Sequence, residues 1–337
     1  MPRLLLLFLF LPPTLHAQTE GRRDSLSTDF FLSLDGYYRY SNPDTLLAVS
    51  PTLSHREVQL GWLSLGAAHR WRNVGMSGKL AFGPRARQFY FNGNNEVFSA
   101  IREAFAFYEP IPEVQIRAGL FPAFYGFEAD DPFDNDLYSN SWSYSLAPTC
   151  PAGLEVSYSP SEQWTFLAGR YTQVYTRSAP AETAAYGFLA GYTSAATTIN
   201  LAALIGDDVS IQRVRAFDLV VDHRFGERTL LGVELNYNGY RIPGEAADRY
   251  VTVGGYLRYD FTARRRLSLR GEWLDDGGGF NFAGGSEILA ATLALSETIG
   301  PLRLFLEGRY DRAERRVLTG NVREASHLLL GFGYLLF

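Results

Sequence analysis

The chain has 337 residues, a formal net charge of −5 and an aromatic content of 15%. This charge balance lacks the basic footprint of a nucleic-acid-binding protein. Mean hydropathy is close to zero, and no stretch after residue 17 is apolar for long enough to form a transmembrane helix. A chain rich in aromatic residues and glycine, yet only mildly hydrophobic on average, is typical of strands with one face in lipid and one in water.

The N-terminus has the layout of a secretory signal peptide. Arg3 precedes the apolar run 4–11, a proline pair follows, and Ala17 is the small residue at the predicted cleavage point. We therefore divide the chain into a signal peptide (1–17), a short periplasmic segment (18–28) and one barrel domain (29–337).

Strand-length segments with alternating side chains fill the rest of the chain. In the second one the apolar phase shifts near Trp62, which predicts a β-bulge. The predicted strands are 29–40, 57–70, 74–83, 98–108, 114–121, 152–159, 164–171, 186–193, 197–205, 214–225, 229–238, 250–261, 267–274, 287–296, 301–310 and 326–337.

Tight turns and longer polar connections alternate between these strands, and both termini fall at the tight-turn end. That alternation is typical of bacterial outer-membrane barrels, with short periplasmic turns and longer outer loops. We therefore predict an all-β fold, a transmembrane antiparallel up-and-down β-barrel of about 16 strands with periplasmic termini, with 14 strands as the alternative. The last strand must pair with the first to close the barrel, and its terminal Phe337 resembles the signal read by the barrel assembly machinery.

Charged residues alternate with apolar ones along most strands. A charge that faces lipid at mid-depth costs roughly 2–4 kcal/mol, so we expect these side chains to point into the lumen. The predicted pore-lining residues are Asp35, Arg39, Arg117, Glu155, Asp218, Asp222, Glu234, Arg258, Arg270, Glu272, Glu307 and Arg309.

The longest connection, 122–151, carries four aspartates. One hypothesis is that it folds inward as a constriction loop, with Asp130, Asp131, Asp134 and Asp136 facing arginines such as Arg39 and Arg117. The alternative is a solvated outer loop. The same carboxylates could also bind Ca²⁺, although their spacing is not that of an EF-hand.

Several stretches in the first half resemble the OmpL-like putative beta-barrel porin family of Gram-negative outer membranes. The resemblance rests on the stretches 33–43 (SLDGYYRYSNP), 101–110 (IREAFAFYEP), 116–128 (IRAGLFPAFYGFE), 140–148 (NSWSYSLAP) and 154–170 (LEVSYSPSEQWTFLAGR). It implies a porin-type channel and assigns no catalytic residue, and the second half of the chain resembles only generic barrel strands.

We predict a channel in the outer membrane for the passive diffusion of small polar solutes or ions. The alternatives are a structural or adhesive barrel with a closed lumen and, less favoured, an enzyme at the barrel rim. The histidines are scattered, and no CxxC, HExxH, P-loop or GxSxG motif is present, so we expect no enzyme activity, no cofactor and no metal site. The expected partners are outer-membrane lipid, small polar solutes and the assembly machinery; a homo-oligomer is left open, and no nucleic acid is expected.

Overall fold

The computed structural model describes residues 26–42, 56–89, 99–148, 152–174, 183–208, 213–241, 244, 246–279, 281–282, 285–318 and 321–336. The predicted signal peptide and Phe337 lie outside these residues. Sixteen antiparallel strands form one closed barrel in which each strand pairs with its neighbours in sequence. The predicted barrel and its strand number are confirmed, and the alternative of 14 strands is wrong.

The strand boundaries agree with the prediction to within a few residues for most strands. β5, β6 and β7 have only seven or eight residues, whereas β10, β11, β12 and β14 have 13. The strands are β1 Leu26–Asn42, β2 Val58–Trp71, β3 Val74–Phe82, β4 Ile101–Ile111, β5 Val114–Leu120, β6 Ala152–Tyr158, β7 Trp164–Tyr171, β8 Ala185–Thr193, β9 Thr197–Gly206, β10 Arg213–Phe225, β11 Thr229–Arg241, β12 Asp248–Asp260, β13 Arg265–Asp275, β14 Glu287–Ile299, β15 Leu302–Ala313 and β16 Glu324–Leu335.

The barrel closes between its first and last strands. β1 pairs with β16 in continuous register from Ser33↔Leu335 to Asn42↔Ser326. This pairing removes both free edges, which a sheet in lipid cannot leave open. β1 begins at Leu26, so residues 26–28 of the predicted periplasmic segment belong to the strand.

The phase shift in β2 is a β-bulge. Asp35 pairs with Trp62 while the next residue, Gly36, pairs with Leu60, so Gly61 is the extra residue. A Cβ atom on Gly61 would lie 1.8 Å from Asp35 Oδ1, which explains why glycine occupies the bulge. The shift turns Trp62 into the lumen, where it is completely buried.

The outer surface is an apolar belt, and the charges lie inside. Leu304 and Leu306 are more than 40% exposed, whereas Arg303 and Glu307, which flank them in the sequence, are buried. No helix among the described residues is long and apolar enough to cross a bilayer. Large aromatic residues mark the short-turn end of the outer surface, as expected for an interfacial girdle; they are Trp71, Tyr108, Tyr158, Trp164, Phe225 and Phe261.

Within the part of the chain that the structure describes, helices α1 and α2 occur where the sequence predicts loops. α1 covers Pro84–Phe89 after β3, and α2 covers Trp142–Leu146 within the longest connection. Ser141 caps α2, because its side chain accepts a hydrogen bond from the Tyr144 amide at 3.0 Å. Both are too short to produce a helical period in the sequence.

Candidate functional site in the barrel lumen

Residues 121–148, here called the inward segment, lie inside the barrel. The amide of Tyr138 donates to Glu307 at 2.7 Å on β15, and the amide of Trp142 donates to Glu272 at 2.6 Å on β13. Tyr138 and Trp142 are themselves buried. Of the two arrangements that the sequence left open, the structure has the inward one.

Contacts of the inward segment reach strands all around the wall. Its bonds to β1 come from Asp131, which accepts from Ser33 at 2.7 Å, and from the Tyr138 hydroxyl, which donates to Asp35. On the other side of the lumen, Gly126 N donates to Asp218 at 2.8 Å and Ser143 donates to Glu234 at 2.7 Å. A segment bonded to both sides is fixed across the lumen and does not hang from one side of it.

Wall glycines provide the space for aromatic rings of the inward segment. A Cβ atom built on each would lie 2.6 Å from Phe124 at Gly187, 2.6 Å from Phe127 at Gly232 and 2.7 Å from Tyr138 at Gly331. At Gly333 the corresponding distance to Phe133 is 3.2 Å. These are closer than ordinary Cβ contacts, so the rings rest where the wall has no side chain.

A buried ion network lies under the centre of the segment. Arg270 on β13 donates to Glu128 at 2.5 Å and to Glu272 at 2.8 Å, and also to the carbonyls of Ser139 and Asn140. Burial raises the pKa of Glu128, while the Arg270 charge and the Ser141 amide act in the opposite direction. Such a network costs much to desolvate, but it fixes one geometry because a lost partner leaves a buried charge.

The network continues to β15. Arg309 binds Asp311 at 2.8 Å, and Asp311 accepts from the indole Nε1 of Trp142 at 2.9 Å. Arg309 also donates to the carbonyl of Asn140 at 2.7 Å. Two wall arginines from neighbouring hairpins therefore hold the turn before α2.

Three of the four aspartates of the predicted constriction loop form ion pairs with arginines other than the two predicted partners. Asp136 lies 2.5 Å from Arg266, 3.8 Å from Arg258 and 3.9 Å from Arg303. The pairing predicted for Arg117 is wrong, because its guanidinium binds Glu155 on the adjacent strand β6. Arg39 is completely buried on β1, and the ion pairs of Asp130 and Asp131 are with Arg102, at 3.5 and 3.7 Å.

Asp134 differs from the other three aspartates because its side chain stays exposed to the lumen. Enclosure by protein atoms and the nearby Asp131 carboxylate raise its pKa to about 6, against the opposing charges of Arg102 and Lys79. A carboxylate with a pKa of about 6 changes its charge just below neutral pH.

Arg85 of α1 is a site residue that the sequence analysis missed. Its side chain is completely buried, 3.7 Å from Asp35, and donates to Asn140 at 3.1 Å. Its guanidinium also lies 5.1 Å from the centre of the Tyr138 ring. The residues around it read as a polar loop, so no periodicity pointed to an inward side chain.

The predicted pore-lining residues all lie on the inner face of the barrel. Asp222 is half-buried, and the other eleven are buried: Asp35, Arg39, Arg117, Glu155, Asp218, Glu234, Arg258, Arg270, Glu272, Glu307 and Arg309. Inner-face charges that stay partly exposed include Lys79, Asp222 and Arg224, and Asp134 of the inward segment is exposed. Pore lining itself stays a prediction for all of them.

Calcium binding by the acidic residues has no geometric basis within the described part of the chain. There, no group of three or more His, Cys, Asp or Glu side chains is placed to hold a metal ion. Asp130 and Asp131 instead share Arg102, and Asp136 meets Arg266, so these three carboxylates already have cationic partners.

One protein-family model, described as putative beta-barrel porin-2, OmpL-like, matches residues 28–335. That range runs from β1 to the end of β16 and so extends the resemblance well beyond the first half of the chain. Among curated proteins, none has a significantly similar sequence.

Solved outer-membrane channels share the fold at low sequence identity. The chain is similar to the outer membrane channel DcaP of Acinetobacter baumannii, with a TM-score of 0.64 and 12% identity over 93% of this chain and 98% of that one. The chain is also similar to an anion-selective porin from Comamonas acidovorans, with a TM-score of 0.62 and 11% identity over 93% of this chain and 100% of that one. For the trimer form of OmpT of Vibrio cholerae the TM-score is 0.62 and the identity 12%, over 93% of this chain and 100% of that one.

Proposed function

Because the chain belongs to the OmpL-like putative beta-barrel porin-2 family, we propose that it is a narrow outer-membrane channel for small polar solutes and ions. A barrel of about sixteen strands encloses enough space for an aqueous passage. The inward segment occupies much of that space and is bonded to both sides of the wall. This anchored segment is the observation that carries the proposal of a narrow passage.

The proposed passage runs past the charged side chains of the inner face that remain exposed to the lumen. Asp134 and Lys79 lie on one side of the inward segment, and Asp222 and Arg224 lie on β10. Both signs of charge are present, so selection would come from the width of the passage and the local field rather than from a uniformly charged lumen.

Single-channel recording in planar bilayers tests the proposal. Deletion of residues 129–138 should raise conductance, because it removes Tyr138 and all four aspartates from the lumen. Glu227→Gln, at the exposed turn between β10 and β11, is the control and should leave conductance nearly unchanged. Equal conductance of the wild type and the 129–138 deletion would reject the constriction role.

A structural barrel with a closed lumen is the competing function. It predicts that the wild type conducts no ions while the folded barrel is present in the bilayer. Homo-oligomer formation is proposed only by analogy with the trimer form of Vibrio cholerae OmpT; the molar mass of the detergent-solubilised protein decides it. The outer-membrane lipid and the barrel assembly machinery, acting on β16, remain the other proposed partners.

A further inference from the structure

Two buried carboxylates of the barrel wall, Asp218 on β10 and Glu234 on β11, lie against Gly126 of the inward segment. The Gly126 amide donates to Asp218 at 2.8 Å, and a Cβ atom built on Gly126 would lie 3.6 Å from Glu234 Oε1. Asp218 pairs with Asn236 across the strands, and Glu234 stands two residues before Asn236, so the two carboxylates are diagonal neighbours. Such neighbours are about 7 Å apart at the backbone, and both side chains face one small volume.

No Arg, Lys or His side chain forms an ion pair with either carboxylate in the part of the chain that the structure describes. Glu234 accepts hydrogen bonds from the hydroxyls of Ser143 at 2.7 Å and Tyr256 at 2.9 Å, and both donors are neutral. Other buried carboxylates of the wall do have a cation beside them; the pairs include Asp35–Arg85, Glu103–Lys79, Glu272–Arg270 and Asp311–Arg309. Buried charges without compensation are costly, so a positive charge bound here would stabilise the wall.

Buried oxygen atoms without a hydrogen-bond partner lie beside Asp218. Asp218, Asn236 and Thr252 form one cross-strand row on the inner faces of β10, β11 and β12. Asn238 is the next inward-facing residue of β11, and its amide Nδ2 donates to the Asn236 side chain. Among the described residues, Asp218 Oδ1, Asn238 Oδ1 and Thr252 Oγ1 have no hydrogen-bond partner, although all three side chains are at most 2% exposed. Buried polar atoms are normally satisfied, so these oxygens indicate a bound group.

We propose that this part of the wall binds one Ca²⁺ ion between Asp218 and Glu234. The available donors are all oxygen atoms, from carboxylates, a side-chain amide and hydroxyls, and Ca²⁺ takes roughly six to eight such ligands, water included, in a flexible geometry. Its double charge balances the two carboxylates. Gly126 leaves room for the ion because, apart from its chain neighbours, only Glu234 Oε1 lies within 4 Å of the position of a Cβ atom there.

This site uses none of the four aspartates of the inward segment. It has two acidic ligands rather than three or more, and neutral oxygens complete the set. The ion would join β10 and β11 to Gly126 and so hold the inward segment to this side of the wall. Because the ion neutralises the wall itself, the site does not depend on solute passage and would also exist in a barrel with a closed lumen.

Equilibrium dialysis with radioactive Ca²⁺ tests the proposal on the full chain, refolded in lipid-free nonionic detergent. The wild type should bind about one ion per chain with a Kd on the order of 10⁻⁴–10⁻³ M, as expected for few acidic ligands. Asp218→Asn and Glu234→Gln each remove one charged ligand and should weaken binding at least about tenfold. Glu227→Gln, in the exposed turn that joins the same two strands, is the matched control and should bind like the wild type.

Thermal unfolding separates ion binding from a purely structural role of the carboxylates. Saturating Ca²⁺ should raise the unfolding temperature of the wild type and leave that of Asp218→Asn nearly unchanged, since the ion binds only the folded state. Without Ca²⁺, Asp218→Asn should be at least as stable as the wild type, because it removes one of two uncompensated charges. Thr252→Val removes one neutral oxygen and should weaken Ca²⁺ binding by less than either carboxylate variant.

Folding of each variant is checked by the heat-modifiable gel mobility of intact barrels. Three results would each overturn the proposal. They are an absence of Ca²⁺ binding by the folded wild type at about 10 mM, equal affinities of the wild type and Asp218→Asn, and displacement of Ca²⁺ by an equal concentration of Na⁺.

Discussion

Arg270 of the barrel wall and Glu128 of the inward segment form a buried ion pair with a distance of 2.5 Å between Nη1 and Oε1. The arginine side chain has no solvent exposure and the carboxylate side chain has 5%. The pair joins residues 142 positions apart in the sequence. It is therefore a tertiary contact that fixes where the segment crosses the lumen.

Arg270→Ala should destabilise the barrel by about 3–5 kcal/mol, because it leaves Glu128 and Glu272 as buried charges without their main partner. Urea unfolding in detergent micelles measures this. Arg265→Ala is the control: its pair with Glu297, at 3.1 Å, is exposed and should contribute at most about 1 kcal/mol. Equal losses in the two variants would contradict the anchoring role.

Gly232→Ala should displace the Phe127 ring, which is stacked on Tyr256 with a centroid distance of 4.0 Å and cannot swing away freely. Overpacking of this kind costs roughly 1–3 kcal/mol, and the shifted segment should also change single-channel conductance. Gly255→Ala, on the outer face with no heavy atom within 4 Å of the added Cβ, is the neutral control. Normal stability and conductance of the Gly232 variant would show that the ring does not need the glycine.

Lowering the pH from 7.5 to 5 should shift the ion selectivity of the channel away from cations, measured as a change in reversal potential. The pKa of Asp134 is raised to about 6, so this carboxylate loses its negative charge within that window. Asp134→Asn should reduce the shift, whereas Glu227→Gln, at the exposed turn between β10 and β11, should not. A shift of full size in Asp134→Asn would assign it to other groups.

The raised pKa of Asp134 also makes the free energy of unfolding depend on pH. The folded state binds the Asp134 proton more tightly than the unfolded chain, whose pKa stays near 3.8. The folded state therefore gains stability from this group as the pH falls through about 6, and the gain is complete below the unfolded value. In Asp134→Asn this contribution to the pH dependence of unfolding should be absent.

The barrel itself was predictable because its information is local. Alternation with a period of two assigns each side chain to lipid or lumen, as it did for Asp218 and Arg309, and the parity of short and long connections gives the topology. Even the bulge at Gly61 was visible as a phase shift near Trp62. The inner-face position of the charges follows from the cost of placing them in lipid.

By itself, the sequence determined the strand number, the two faces and the closure of β1 on β16, since each depends on neighbours along the chain or one strand away. Only the tertiary structure decided that residues 121–148 turn inward, that Asp136 meets Arg266 rather than Arg117, and that Arg85 supports Tyr138. Those contacts join residues far apart in sequence through side chains of no fixed period. They exist because a closed barrel brings opposite walls within reach of one segment, and a linear pattern does not encode that proximity.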